Sequence, residues 1–209
     1  MATTDNLHYS ILASGSKGNS TYIETAHHRI LIDAGLSGKQ IEARMAAINR
    51  SLKDVEAIFV THEHSDHSHG VGVLARRYGL DIYANRGTWQ AMDNKIGKVP
   101  LDQKHLIAPG AIKDFGDLQV ESFAVSHDAA EPQFYQVHHD NKAFCILTDT
   151  GYVSERVAGT IRDADSYLME CNHDTEMLIN GTKYSWPLKQ RILGDEGHLS
   201  NEDGAEALT

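Results

Sequence analysis

Apolar and polar positions alternate along the chain with two different periods. LHYSILAS, STYIET and RILIDAG are alternating or continuous apolar runs parted by GSKGN and AHH, which predicts two or three strands on short turns. Ser37 can cap a helix in which Ile41, Met45 and Ile48 recur at i, i+4 and i+7, giving one apolar stripe ahead of a strand at VEAIFVTH. VGVLARRYG then reads as a short helix, LDIYAN as a strand and RGTWQAMDNKIG as a helix ending on Gly97. LQVESFAVSH is a strand, and FYQVHH and AFCILTD flank Asp140 and Asn141 as a hairpin. SERVAGTIRDA predicts a helix, SYLMECN a strand, WPLKQRILG a helix with Pro187 in its first turn, and NEDGAEALT the start of another helix. There is no repeat, low-complexity tract or linker. This order fits an α/β (α+β) chain with two packed sheets and helices outside better than a pure sandwich or a doubly wound sheet.

At 209 residues the expectation is one domain over 1–209. No apolar stretch is long enough to span a membrane, and MATTDNLHYS lacks a charged and then apolar leader, so a cytoplasmic protein with no membrane partner is expected. Cys145 and Cys171 both fall in apolar runs and read as buried, reduced thiols. The formal charge of −10 argues against a broad basic surface that holds nucleic acid by counterion release. Any attraction for DNA or RNA must be local, and part of the negative charge sits where divalent cations would neutralise it.

The strongest chemical signal is THEHSDH, directly after a strand. His62 and His64 can turn to one side and bind one cation, while Asp66 and His67 face a neighbouring position. Imidazoles and a carboxylate without cysteine suit Zn²⁺, and equally Mn²⁺ or Fe. Four of the thirteen histidines fall between His62 and His69, so a solvated histidine-rich loop is the bland alternative; the preceding strand argues against it. His127 follows LQVESFAVS and Asp149 ends AFCILTD, both at strand ends. His127 would complete three imidazoles around one ion and Asp149 would bridge two, since dinuclear hydrolases hold metals about 3.5–4 Å apart around a shared anion. Glu63 adjoins two of these residues but faces away from them. The loop from Ser14 to Asn19 offers Lys17, Asn19 and backbone N–H groups to a phosphate, although it also reads as an ordinary hairpin loop. His173 is a substrate contact or a turn residue, and His27, His28, His138 and His139 lie at solvated turns.

The ordered set Asp33 in LIDAG, His62-x-His64-x-Asp66-His67, His127 and Asp149 in TDTG resembles the motif series of the metallo-β-lactamase superfamily. SILASGSKGNSTYIET, FVTHEHSDHSHGVGVLARRY, ILTDTG, LMECNHD and RILGDEGHLSN resemble more closely the YycJ/WalJ family of DNA exonucleases, itself similar to tRNase Z and the RNase J group. The similarity runs along nearly the whole chain. It implies an αββα sandwich with two divalent ions, Zn²⁺ or Mn²⁺, at one edge, and 5′-to-3′ hydrolysis of a nucleic acid, DNA ahead of RNA. By position it implies that His62, His64 and His127 hold the first ion, Asp66 and His67 the second, and Asp149 both. It makes Asp33 the aspartate that orients a ligand or water, although a simple turn aspartate would look the same. Asp66 and Asp149 would hold the attacking water, and His198 in GHLSN would touch the scissile phosphate and assist the leaving oxygen. The family pattern runs on past GHLSN through a further strand and a histidine that completes the second site. A chain stopping at Thr209 is therefore expected to lack the last strand and helix and to be a truncated copy. Two rival readings remain: a thioesterase or lactonase on the same fold, against which ECNHD and GHLSN speak, or an inactive metal-binding module.

Overall fold

A computed structural model describes residues 6–208; Thr209 and the MATTD start lie outside the described residues. The first sheet runs β1 (His8–Ala13), β2 (Ser20–Glu24), β3 (Arg29–Ile32), β4 (Ala57–Phe59), β5 (Asp81–Ala84), β6 (Lys104–Leu106), in that spatial order. β1 to β3 pair antiparallel and β3 to β6 parallel. The second sheet consists of β7 (Ile112–Asp114), β8 (Gln119–Ala124), β9 (Gln133–His139), β10 (Lys142–Leu147) and β11 (Ser166–Met169). Its pairings are antiparallel except β10 with β11, which leaves β8, β10 and β11 pointing the same way. The helices are α1 (Gly38–Ala47), α2 (Ser65–Ser68), α3 (Val71–Tyr78), α4 (Arg86–Met92), α5 (Glu155–Ile161), α6 (Thr175–Asn180), α7 (Trp186–Ile192) and α8 (Asn201–Glu206).

Strand alternation builds the layers. In β3, Leu31 packs with Ile41 and Met45 of α1, while Ile30 and Ile32 join Phe59, Phe134 and Phe144 between the sheets. In β4, Ile58 faces the helices and Phe59 the second sheet. These strands are apolar on both faces because a parallel sheet is covered on both sides, and each fully buried large side chain contributes about 1.5–3 kcal/mol. Ser37 caps α1 in a capping box with Gln40.

Some expectations need correction. The strand at SYLMECN stops at Met169, so Cys171 is exposed, while Cys145 is buried and burial pushes its thiol up to about 12. His138 and His139 lie in β9, and His139 is buried with Nδ1 2.6 Å from the Asp117 carbonyl, because hairpin strands extend to the Asp140 turn. His28 is half-buried, 2.8 Å from Glu56. The helix at RGTWQAMDNKIG ends at Met92, and Gly97 with φ 75° serves a later turn. β6, β7 and α6 carry no readable period at three to six residues. No helix among the described residues is long and apolar enough to cross a membrane.

At the end of β2, Glu24 is buried and accepts from Arg50 Nε at 2.7 Å and Tyr22 Oη at 2.7 Å. The Arg50 hydrogen bond, outweighing burial, holds the carboxyl below its ordinary value. A depressed folded pKa means stabilisation present above the unfolded value of about 4.3 and lost as pH falls through the folded one. Glu24→Gln should therefore cost about 1–3 kcal/mol at pH 7 and less below pH ~4, read from urea midpoints at both pH values; an equal cost at the two would contradict this.

Candidate metal centre

Parallel strands bring their C-terminal ends to one rim, and the candidate residues follow those ends. β3 delivers Asp33, β4 delivers Thr61 and His62, β8 leads to His127, β10 to Asp149 and β11 to Glu170. The short α2 turns the chain after His64 so that His67 returns beside His62, with ring centroids 4.1 Å apart.

His62, His64 and His127 gather ligand atoms within 4.8 Å of one another, and His62 Nε2 lies 3.1 Å from His64 Nδ1. The second nitrogen of each ring is committed to an oxygen. His62 Nδ1 is 3.0 Å from Thr61 Oγ1, whose own hydroxyl donates to Asp33 Oδ2. His64 Nε2 is 3.2 Å from the Asp128 carbonyl and His127 Nδ1 3.1 Å from the Gly197 carbonyl. An N–H donated on one side leaves a lone pair on the other, so three lone pairs converge. Burial drives His62 well below its ordinary pKa, with the His67 charge adding to it, and also lowers His127, which keeps both rings neutral and able to ligate.

A second group joins His62, His67 and Asp149. His67 is fully buried, with Nδ1 2.8 Å from Asp33 Oδ2 and Nε2 3.1 Å from Asp149 Oδ2. Burial alone would push this imidazole down, yet Asp33, with Asp149, carries it up to about 10. A pocket that favours a proton between two carboxylates also favours a metal cation in its place. The residues thus fit a divalent ion by donor type and by tautomer. Asp66 Oδ2 stands 3.9 Å from His67 Nε2, half-buried at the edge of this group. Asp33 has φ 60°, a left-handed conformation uncommon outside glycine, held by Oδ1 accepting from Thr61 N at 2.8 Å. It aligns His67 directly and His62 through Thr61.

Asp149 also belongs to a third group with Glu170 and His198. His198 Nδ1 is 2.6 Å from Glu170 Oε1 and 3.6 Å from Asp149 Oδ1. Burial would lower the imidazole, but the Glu170 contact outweighs it and holds His198 above its ordinary value. Glu170 Oε2 accepts from Thr150 N at 2.9 Å and Leu199 N at 3.2 Å, which locks it in place. Sequence reasoning passed over Glu170; its signal was a carboxylate at the C-terminal end of a strand, as for Asp149.

The remaining candidates fall around this rim. Lys17 stands exposed at the tip of its loop, in a shallow polar hollow it shares with Ser65, Asp66 and His69. Asn19 is buried and its amide is engaged within the protein, on Gly15 and 3.0 Å from His67 Nε2. His173 is half-buried just ahead of α6 and pairs with Ser200 before α8, its carbonyl accepting from Asn201 N. Glu63 turns away, its Oε1 accepting from Ala130 N at 3.0 Å.

Residues 28–209 match the beta-lactamase superfamily domain. Over 202 residues the chain is 62% identical to the exodeoxyribonuclease WalJ of Streptococcus pneumoniae, covering 96% of this chain and 75% of that protein. It is 54% identical to the exodeoxyribonuclease YycJ of Bacillus anthracis, covering 97% and 76%. Human tRNase Z, short form, shares the fold with a TM-score of 0.67 at 18% identity, over 95% of this chain and 86% of that one. With its two packed sheets, its rim of imidazoles and carboxylates and this degree of identity, the chain belongs to the metallo-β-lactamase superfamily, in the group of the WalJ and YycJ proteins.

Proposed function

We propose that this protein is a metal-dependent DNA exonuclease that releases nucleotides from a 5′ end. The observation that carries the reading is the convergence of three imidazoles beside His67 and Asp149, in a chain 62% identical to a protein named as an exodeoxyribonuclease. His62, His64 and His127 would hold one ion, and Asp66, His67 and Asp149 a second, with Zn²⁺ or Mn²⁺ as the candidates. Divalent ions held there would lower the pKa of a bound water steeply, toward about 7, and offset charge on phosphoryl oxygens. The protein's own groups supply the rest. Asp33 keeps Nδ1 of His67 protonated and so its Nε2 turned toward the site. Asp66 and Asp149 orient the water for attack on phosphorus, opposite the departing sugar oxygen. His198, held above its ordinary pKa by Glu170, keeps a proton for that oxygen. A −10 chain that attracts DNA through a few local contacts suits an enzyme working at an end rather than one coating a duplex.

The test is an assay of 5′-phosphorylated DNA, RNA, thioesters and lactones with the Mn²⁺-loaded protein. Nucleotide release from DNA is expected, 5′-labelled product first, stopped by EDTA and restored by Mn²⁺. Ester turnover with inert DNA would overturn the proposal.

A further inference from the structure

A small cleft of about 110 Å³ opens onto the imidazole cluster. His64, His127 and His198 stand on one wall, and α7 forms the other with Leu188, Arg191 and Ile192. Those three are spaced i, i+3 and i+4, so one helical face lines the cleft. The rotation of α7 is fixed from behind by Lys189, which is buried and donates to the carbonyls of Ile179 at 2.7 Å and Gly181 at 2.6 Å at the end of α6. Among the described residues, Arg191 is the only Lys or Arg lining this cleft.

Its guanidinium pairs with Asp128 Oδ2. The other oxygen of that carboxylate lies 3.5 Å from His127 Nε2 and 3.9 Å from His64 Nε2. Arg191 therefore sits about one carboxylate beyond the imidazoles, on a side chain whose outer part is solvent-exposed and free to change partner. A planar guanidinium matches phosphate oxygens in geometry as well as charge. The apolar pair Leu188 and Ile192 beside it suits a sugar and base.

We propose that Arg191 grips the nucleic-acid phosphate adjoining the one being cut, leaving Asp128 for the substrate when DNA enters. This rests on the nucleic-acid reading of the site. It gives an acidic protein its local attraction for a polyanion, and it makes Asp128 a competitor that discourages binding without a phosphate to take its place.

The test is fluorescence anisotropy of a cleavage-resistant phosphorothioate single strand on the Mn²⁺-loaded protein across a salt series. Arg191→Ala should bind about tenfold more weakly, and its plot of log affinity against log salt should be shallower by about 0.7, the loss of one phosphate contact. Arg191→Lys keeps the charge and should keep the slope while losing part of the affinity. Asp128→Asn should bind more tightly than the wild type. An unchanged affinity or slope in Arg191→Ala, or a slope in Arg191→Lys as shallow as that of the alanine variant, overturns the proposal; should the alanine variant not fold, the lysine and asparagine variants decide it. Wild-type protein with an Arg191-dependent slope but no cleavage of DNA would refute the nuclease reading alone. Cleavage with a slope indifferent to Arg191 would refute this proposal alone, and a wild type that binds no oligonucleotide would refute both.

Discussion

His62→Ala is expected to lose bound metal altogether and to lower kcat/KM on DNA by at least about 10³-fold, because without a cation the attacking water returns to its high ordinary pKa and stays protonated. His62 is singled out because it belongs to both imidazole groups, the one with His64 and His127 and the one with His67 and Asp149. Its ring is fully buried and packs near Phe134, so truncation also leaves a cavity costing about 2 kcal/mol. That loss lowers the melting temperature but leaves the chain folded, since the two hydrophobic clusters lie largely beneath the rim. Zn²⁺ should raise the melting temperature of the wild type, by binding the native state alone, and leave that of His62→Ala unmoved. His69→Ala is the control. His69 sits in the same histidine-rich stretch but is exposed and belongs to none of the ligand groups among the described residues, so its loss should change neither metal content nor rate. Equal losses in both variants would mean that the stretch acts as a solvated loop and that the cluster is incidental.

Gly35→Ala should be the most damaging small change in the protein. A Cβ there would stand 1.6 Å from the Asp66 carbonyl oxygen and 2.7 Å from Asn19 N, both backbone atoms. The segment cannot move aside singly. Gly35 N donates to Asn19 O at 2.8 Å, Asn19 N to Asp66 O at 2.7 Å and Ala34 N to His67 O at 2.9 Å. One methyl group must therefore push the His64–His67 turn off the sheet end. We expect a cost of about 3 kcal/mol or more, which lowers Tm by roughly 6–12 °C, together with weakened metal binding. The measurement is calorimetry with and without Zn²⁺. Gly159→Ala is the contrast: Gly159 lies within α5 with open space around its would-be Cβ and no positive φ, so the same change should stabilise by roughly 0.5–1 kcal/mol. A Gly35→Ala protein with wild-type Tm and metal affinity would show that the contact between loop and sheet end is slack.

What could be read from the sequence was whatever depends on local period and on residues clustered along the chain. The stretch His62–His67 announced itself because five side chains with ligand atoms crowd six positions, and His127 and Asp149 because each ends a readable strand. Their convergence follows from strands β4, β8 and β10 delivering their ends to one rim, which no local pattern states. Glu170 and Arg191 stayed hidden for that reason. Glu170 gains its meaning only from His198, 28 positions away, and Arg191 only from the rotation that Lys189 imposes on α7. Cys171 was misread as buried because it follows the apolar YLM of a strand by two positions, although pairing with β10 stops at Met169. His139 was misread as a solvated turn residue because a hairpin's last pair looks polar in sequence, whereas the Asp117 carbonyl receives its ring nitrogen.

The most direct test of the account is a zinc-soaked crystal with diffraction data collected at the zinc absorption edge. One anomalous peak is expected about 2.0–2.2 Å from His62 Nε2, His64 Nδ1 and His127 Nε2, and a second between His67 and Asp149. Those imidazoles seen in the present arrangement at saturating zinc, with no peak between them or with zinc bound elsewhere, would contradict it.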